Sequence, residues 1–211
     1  MRNAKSKRPL TRRERERARH RQEILDASCE VFSEKGYRKT TIADISKRSE
    51  FSIASIYKHF ESKEDIYHSL IEDYLRMYQE ELEKTVEGIE SPLAQIRACV
   101  KKTLEMLAEH RVFMNFFVGE WRPSADDDED ALANKSMDSY RMIVTFMAER
   151  FEQAQERGEV IKDVEATYLA IGLLGEIFIF GSYWIYFEPI NLSESDKELI
   201  PRIFFDKVAL D

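Results

Sequence analysis

Glycine and proline are scarce in this chain, with 7 and 5 residues among 211. No segment alternates apolar and polar residues in the way a half-buried strand does. Long stretches rich in Glu, Lys, Leu and Ala instead favour helix. The sequence therefore predicts an all-α protein.

Cysteine is also rare, and its placement excludes a disulfide framework. Cys29 and Cys99 lie 70 residues apart inside helical patterns. We interpret both as small buried apolar residues in a reducing compartment, with a redox pair or a metal site as the alternative. No apolar core follows the basic N-terminus as it would in a secretory signal, so a cytoplasmic protein is predicted.

A general excess of positive charge is missing, since the net charge is −8. Taken alone, that value argues against a nucleic-acid partner. Residues 1–65, however, hold 17 Lys and Arg against 11 Asp and Glu, a net of +6, while the remainder holds 15 against 29, a net of −14. This asymmetry is expected when one end of a protein meets a polyanion.

Catalytic and metal-binding patterns are absent as well. The sequence shows no Gly-rich phosphate loop, HExxH pair, or spaced Ser-His-Asp or Cys-His set. His59, Glu64 and His68 form the one conceivable metal cluster. Glu64 and His68 lie four apart on one helix, and no third strong ligand is placed with that pair. We therefore predict neither an enzyme nor a bound metal or cofactor.

Residues 166–187 form one long apolar run, with Glu176 as its single charge. Its length would suffice to span a bilayer. Burial on every side, in a core and against a partner subunit, explains the same composition. We favour the buried helix and predict no membrane partner.

Helix start and stop signals divide the chain into a basic tail (1–12) and nine helices. Thr11, Thr41 and Ser52 suit N-caps, Ser62 and Asp65 suit a capping box, and Gly36 suits a C-terminal stop. The predicted helices cover 13–35, 42–48, 53–59, 63–86, 92–109, 111–120, 130–157, 163–187 and 194–209. The predicted domains are a DNA-binding unit over 13–61 and a helical regulatory and dimerisation unit over 62–211.

The most informative stretch is 40–67, TTIADISKRSEFSIASIYKHFESKEDIY. Its apolar residues form a small wedge beneath a polar face of Thr, Ser, Lys, Tyr and His. Two short helices joined by a tight turn make a helix-turn-helix, whose second helix enters the major groove of DNA. The segments Gly36-Tyr37, Thr40–Ile45, Ser52, Ile56–Phe60 and Ser62–Glu64 resemble the DNA-binding signature of TetR-type (TetR/AcrR) transcriptional regulators. The turn Ser49-Glu50-Phe51 and Ala54 depart from this signature, because the family often has Gly at both places.

The resemblance implies a homeodomain-like three-helix head followed by a helical bundle for dimerisation and ligand binding. It also implies DNA contacts. Thr41, Tyr57, Lys58 and Lys63 suit phosphates, as does His59, and the small residues Ser52, Ile53, Ala54 and Ser55 are left for base edges. The ten Lys and Arg within 1–21 suit a basic arm, with surface ion pairs as the alternative.

The body is rich in aromatic residues and carries a few charges within apolar helices. A pocket with aromatic walls and a polar anchor would suit a small apolar or aromatic effector. The residues assigned to it are Phe113, Phe117, Trp121, Tyr140, Glu176 and Tyr183. The alternative is ordinary core, with Arg97 or Arg141 pairing with Glu176.

These observations predict a homodimeric transcriptional regulator, a repressor released from a pseudo-palindromic operator by a small apolar effector. Residues 163–187 and 194–209 are expected to form the dimer interface. One alternative is the same fold acting constitutively or through a protein partner. A more remote one is a helical membrane-associated or enzymatic protein.

Overall fold

The computed structural model describes residues 11–110, 112, 130–187 and 194–210, with side chains placed for all of these except 130–140, 182, 184–187, 194–197 and 200. Within these ranges the chain forms eight α-helices. They are α1 (Arg12–Lys35), α2 (Ile42–Ser49), α3 (Ile53–Ile56), α4 (Lys63–Val86), α5 (Pro92–Glu109), α6 (Asp130–Glu156), α7 (Ala166–Phe187) and α8 (Glu194–Val208). The basic tail and the helix predicted over 111–120 lie outside the described residues, apart from single positions.

The chain divides into two compact units, the first ending at Ser69 and the second beginning at Leu70. In the first unit, α1 starts where Thr11 accepts a hydrogen bond from the Glu14 N–H and the Glu14 carboxylate accepts one from the Thr11 N–H. This capping box satisfies backbone donors that would otherwise lack partners. The helix ends at Gly36, whose φ of 76° is accessible to glycine and whose N–H bonds to the Phe32 carbonyl.

The buried face of α1 is the one that the apolar spacing predicts. Its buried side chains are Ile24, Leu25, Ala27, Ser28, Val31 and Phe32. Ile45 of α2, Ile56 of α3 and Phe60 complete the core beside them. Burying a Leu, Ile or Phe side chain contributes about 1.5–3 kcal/mol, so this cluster fixes the two short helices α2 and α3, which would not be helical alone.

α3 is shorter than predicted. It ends at Ile56, whereas the sequence indicated a helix over 53–59. The N–H groups of Lys58 and His59 donate to carbonyls three residues back, at 3.2 and 2.9 Å, so a tight turn replaces the last α-helical turn. Between α2 and α3, Glu50 has a φ of 60°, in the left-handed region where the related signature often places Gly.

The capping box predicted after α3 forms in altered register. The Ser62 hydroxyl accepts from the Asp65 N–H at 3.1 Å, as predicted. The Asp65 carboxylate accepts from the Glu61 N–H at 2.8 Å instead of from Ser62. α4 nevertheless begins at Lys63 and ends at Val86, the bounds that the sequence indicated.

In the second unit, α6 packs most extensively against α7, and α5 contacts both. The start of α5 is held by Ser91, which accepts from the Ala94 N–H, and by Pro92 in the first turn. The Glu159 carboxylate joins this cap by accepting from the Leu93 N–H at 2.8 Å and from the Ser91 hydroxyl at 2.9 Å. The loop after α6 therefore fixes a helix end far away in sequence.

The same loop is also paired with the residues that follow α8. The Leu210 N–H donates to the Glu159 carbonyl at 3.0 Å, and the Ile161 N–H donates to the Val208 carbonyl at 2.9 Å. These bonds flank an isolated antiparallel bridge between Val160 and Ala209. Residues 159–161 thus link the cap of α5 to the end of α8.

The apolar character of α7 is explained by burial of one face. Its inward side chains include Leu169, Ala170, Leu173, Leu174 and Ile177. None of the helices in the described part of the chain combines the length and apolarity that crossing a bilayer requires.

Candidate nucleic-acid interface

α2 and α3 turn a polar surface outward over the core of the first unit. Thr41, Ser52, Ala54 and Lys58 are exposed. Ile53 and Tyr57 are also exposed, at 45% and 53%, although large apolar side chains usually face inward. Exposed Ile53 on α3 and Tyr57 directly after it, beside Ser and Thr, give a surface suited to methyl groups and phosphates.

The small residues at the start of α3 are ordered by their own hydrogen bonds. Ser52 Oγ accepts from the Ser55 N–H at 3.1 Å and lies 2.8 Å from Ser55 Oγ. Ser55 is half-buried, unlike Ser52 and Ala54. Ser52, Ile53 and Ala54 are therefore the most accessible members of the group that the sequence assigned to base edges.

Thr41 has a structural role in addition to its exposure. Its hydroxyl accepts from the Asp44 N–H at 3.2 Å, and the Asp44 carboxylate accepts from the Thr41 N–H at 3.0 Å. Lys35 Nζ reaches the same carboxylate at 2.5 Å. The Lys35 ammonium, followed by the bonds from Thr41, holds the pKa of Asp44 well below its ordinary value.

The C-terminal end of α2 is joined to α1 by Arg48. Its guanidinium lies 2.7 Å from the Glu30 carboxylate and 2.7 Å from that of Glu34. The bond from Arg48 lowers the pKa of Glu34. Ion pairs at both ends of α2 thus orient this helix against α1.

Lys63 makes contacts within the first unit that the sequence did not indicate. Its ammonium donates to the Tyr37 carbonyl at 2.8 Å and to the Thr40 carbonyl at 2.9 Å. The same ammonium lies 4.2 Å from the centre of the Tyr37 ring. Because two of its three donors are directed to the turn before α2, the Lys63 ammonium is placed to fix that turn.

His59 belongs to a cluster with His20 and Phe51, of which the sequence indicated only His59 as a DNA contact. Its ring centre lies 6.4 Å from that of His20 in α1, and His20 in turn lies 5.1 Å from Phe51. Burial lowers the pKa of His59, and the neighbouring charges of Arg17, His20, Arg21 and Lys58 lower it further.

An open groove of about 710 Å³ lies along this cluster, lined by Thr11, Arg13, Glu14, Glu16, Arg17, His20, Lys58 and His59. Arg13, Arg17 and His20 recur at helical spacing on α1, and that spacing was the signal available in the sequence. What the sequence could not supply was the direction in which this row of side chains points.

The second unit contains only part of the effector site that the sequence assigned. Phe113, Phe117 and Trp121 lie outside the described residues, and the side chain of Tyr140 does as well. Glu176 is half-buried in α7, and Tyr183 is 50% exposed near the end of that helix. The described residues therefore do not outline a pocket around these six positions.

Glu176 Oε1 is buried and has no hydrogen-bond partner among the described residues. Burial raises the pKa of this carboxyl, and the charge of Lys207 opposes that effect. Arg97, one alternative partner, stacks 4.3 Å over the Phe205 ring. The ion pair between Arg97 and Glu176, one of the two considered from the sequence, is not observed.

One face of α7 is apolar and exposed. Tyr168, Ile171, Ile179 and Tyr183 are 64%, 43%, 66% and 50% exposed, and they recur at spacings of three, eight and four residues, on one side of the helix. On α8, Ile203 is also exposed, whereas Phe205 is 1% exposed within the unit. Phe205 therefore belongs to the core and not to an outer surface.

A helix-turn-helix head followed by a helical bundle defines a DNA-binding regulator, and comparisons with known proteins agree. Residues 24–70 match the family model described as "Bacterial regulatory proteins, tetR family". HbdR of Aromatoleum sp. (strain CIB), an HTH-type transcriptional regulator, is 33% identical over 76 residues, which cover 36% of this chain and 33% of that protein. UidR of Escherichia coli K12 is 27% identical over 165 residues, covering 74% of this chain and 81% of that protein.

Solved structures show the same fold. The fatty acid degradation regulator FadR of Bacillus halodurans superposes with a TM-score of 0.80 at 17% identity, covering 88% of this chain and 94% of that one. The SmeT–triclosan complex gives 0.77 at 20% identity, covering 92% and 93%. FadR of Bacillus subtilis in complex with stearoyl-CoA gives 0.73 at 21% identity, covering 85% and 96%. Residues 24–70 thus form a DNA-binding domain of the TetR family, and the chain is a DNA-binding transcriptional regulator.

Proposed function

We propose that this regulator is a homodimeric repressor that binds a pseudo-palindromic operator and releases it when a small apolar effector binds the second unit. The observation that carries the proposal is the outward surface of α2 and α3, where Ile53 and Tyr57 are exposed beside Ser and Thr residues. The DNA-binding domain is proposed to extend over 13–61 and the regulatory domain over 62–211.

The proposed DNA contacts divide by chemistry. Thr41, Tyr57, Lys58 and His59 contact phosphates, because they offer hydroxyl, ammonium and imidazole donors at the edge of the α2–α3 surface. Ser52, Ile53, Ala54 and Ser55 face base edges, with Ser55 the least accessible of the four. Lys63 is proposed to act by positioning the turn before α2, since its ammonium already bonds two carbonyls.

The exposed face of α7 supports the proposed dimer. Four large apolar side chains on one side of a helix are costly to leave in water, and a second copy of the chain can cover them. Gly175 on the same helix leaves room for close approach, since a Cβ there would meet no atom of the described residues within 4 Å. Two heads held in this way would reach successive major grooves about 34–36 Å apart.

An apolar effector is supported by two kinds of observation. SmeT was solved with triclosan and B. subtilis FadR with stearoyl-CoA, both on this fold. Glu176, with one carboxylate oxygen buried and lacking a described partner, can accept a hydrogen bond from a ligand. Release follows if the effector binds more tightly to a dimer whose heads no longer match the operator spacing.

We further propose that the protein acts in the cytoplasm, where its DNA partner lies, and that it works by binding and not by catalysis. Its relatives are named as transcriptional regulators, which supports this view. A member of the fold that acts constitutively or through a protein partner is the second candidate. Insensitivity of operator binding to all apolar compounds tested would favour it.

Selection of bound fragments from genomic DNA tests the proposal, because a repressor of this design should enrich inverted repeats. The variant Ile179→Asp places a charge on the exposed face of α7, and we expect monomers by light scattering together with loss of operator binding. Gln153→Asp, at an exposed polar position on α6, is the matched control. If Ile179→Asp remains a dimer that binds the operator, the interface lies elsewhere.

A further inference from the structure

We propose that the groove between α1 and the turn after α3 holds a DNA phosphate between Arg17, His20 and His59, and that filling it takes up a proton. The inference rests on the proposed contact of DNA with Lys58 and His59 and extends the contact to α1. Three observations carry it: the groove itself, the pairing of two imidazoles across it, and the cations around them.

The geometry brings two separate parts of the chain to one place. His20 lies on α1, His59 lies in the turn after α3, and their ring centres are 6.4 Å apart. Arg17 and Lys58 line the same groove. A phosphodiester in it would have donors on both sides, and guanidinium and imidazolium groups are strong partners for phosphate.

The proposed proton uptake follows from the charges around His20 and His59. Arg17 and Arg21 of α1 and Lys58 beside His59 are positive, and Arg21 also stacks 5.2 Å over the Phe60 ring. Glu14 and Glu16 line the groove as opposing charges. These cations and burial lower the pKa of His59, so the imidazole is neutral in the free protein near pH 7.

A bound phosphate reverses this balance. Its negative charge offsets the cations and favours the imidazolium of His59, so the pKa of His59 is higher in the complex than in the free protein. By linkage, DNA affinity then rises as the pH falls through the pKa of His59 in the complex. The affinity stops rising once the pH is below the pKa of His59 in the free protein. One unit of difference in the pKa corresponds to a tenfold change in affinity at most.

The test uses the full-length protein and a labelled mixed-sequence duplex of about 30 base pairs, long enough for two major-groove sites one helical turn apart. Affinity is measured by fluorescence anisotropy at about pH 6 and about pH 8, around the ordinary histidine range, at fixed ionic strength. We expect the wild type to bind roughly threefold to tenfold more tightly at the lower pH. The double variant His20→Gln/His59→Gln should lose this gain and should match the wild type more closely at the higher pH.

Two controls make the result specific. The chain has four histidines, and His110→Gln in the second unit should keep the full pH dependence. Arg17→Gln should lower the salt dependence of binding by about one phosphate contact, whereas Arg19→Gln on the same helix, where Arg19 lies 3.6 Å from Glu23, should leave it nearly unchanged.

The outcomes separate this inference from the proposed function. An equal pH dependence in the wild type and the double variant, or an unchanged salt dependence in Arg17→Gln, overturns the phosphate site while DNA binding stands. Absence of binding by the wild type at both pH values contradicts the proposed DNA surface itself. Circular dichroism of each variant confirms that the helices are intact.

Discussion

Replacing Lys63 and Lys58 separately distinguishes a structural lysine from one that contacts DNA. The two residues lie five positions apart at the same end of the first unit, and the sequence assigned both to phosphates. In the structure, the Lys63 ammonium bonds the Tyr37 and Thr40 carbonyls, whereas Lys58 is exposed in the groove. The substitution Lys→Met keeps the aliphatic stem and removes the charge in both cases.

The expected cost of Lys63→Met follows from its two hydrogen bonds. Bonds that involve a charged group contribute about 1.5–3 kcal/mol each, and partial exposure of this site reduces that value because water can replace the donor. We expect a loss of about 1–3 kcal/mol in the free energy of unfolding, including the contact with the Tyr37 ring. For a chain of this size, about 2 kcal/mol corresponds to a fall in Tm of roughly 4–8 °C.

The assay is a thermal unfolding curve together with DNA affinity over a range of salt concentrations. Lys63→Met should lower the Tm and leave the slope of log affinity against log salt unchanged. Lys58→Met should leave the Tm unchanged and reduce that slope by about one. A stable Lys63→Met protein with a reduced slope would refute the structural role assigned to this residue.

Three further predictions follow from local features. Glu50→Gly should raise the Tm, because relief of a left-handed residue contributes about 1 kcal/mol, whereas Glu50→Ala should bring no gain; a lower Tm in the Gly variant would contradict the strain. Burial raises the pKa of Cys29 to about 12 and that of Cys99 to about 11, so iodoacetamide near neutral pH should label neither thiol until urea is added. The pKa of Asp44 is depressed in the folded state, so its contribution is present above the unfolded pKa of about 4 and is lost as the pH falls below it. Asp44→Asn should therefore lower the Tm at neutral pH and converge with the wild type in acid, and an equal deficit at both pH values would exclude this linkage.

The features that the sequence predicted well are those decided within a few residues. Thr11 caps α1 and Gly36 ends it because a side chain or a positive φ acts on the nearest backbone groups. The buried face of α1 follows from its helical period. Ser91 and Pro92 mark the start of α5 for the same local reasons.

The features that escaped prediction depend on contacts between distant residues. Lys63 reaches carbonyls 23 and 26 positions away, and Arg48 reaches carboxylates 14 and 18 positions away. The angle at which α1, α2 and α4 pack decides these partners, and periodicity alone does not contain that angle. The encounter of His20 with His59 escaped prediction for the same reason.

The early end of α3 is a smaller case of competition between local rules. The stretch after Ile56 retains helical periodicity, and the sequence accordingly indicated a helix through His59. Phe60 must nevertheless reach the core, where it is 2% exposed. The Lys58 and His59 N–H groups therefore bond to carbonyls three residues back instead of four, and this narrower last turn allows Phe60 to reach the core.

The pairing of residues 159–161 with 208–210 also sets an order of events during synthesis of the chain. At about 5–20 residues per second, a ribosome needs roughly 3–10 s to make the residues between Glu159 and Leu210. Until then the Glu159 carbonyl lacks the N–H of Leu210, and α7 has emerged without α8 to cover it. The first unit, which ends at Ser69, can meanwhile form its core from residues already made. A nascent chain should therefore possess a folded head for seconds before its body closes, and during that interval the inward apolar side chains of α7 are most exposed to aggregation and to chaperones.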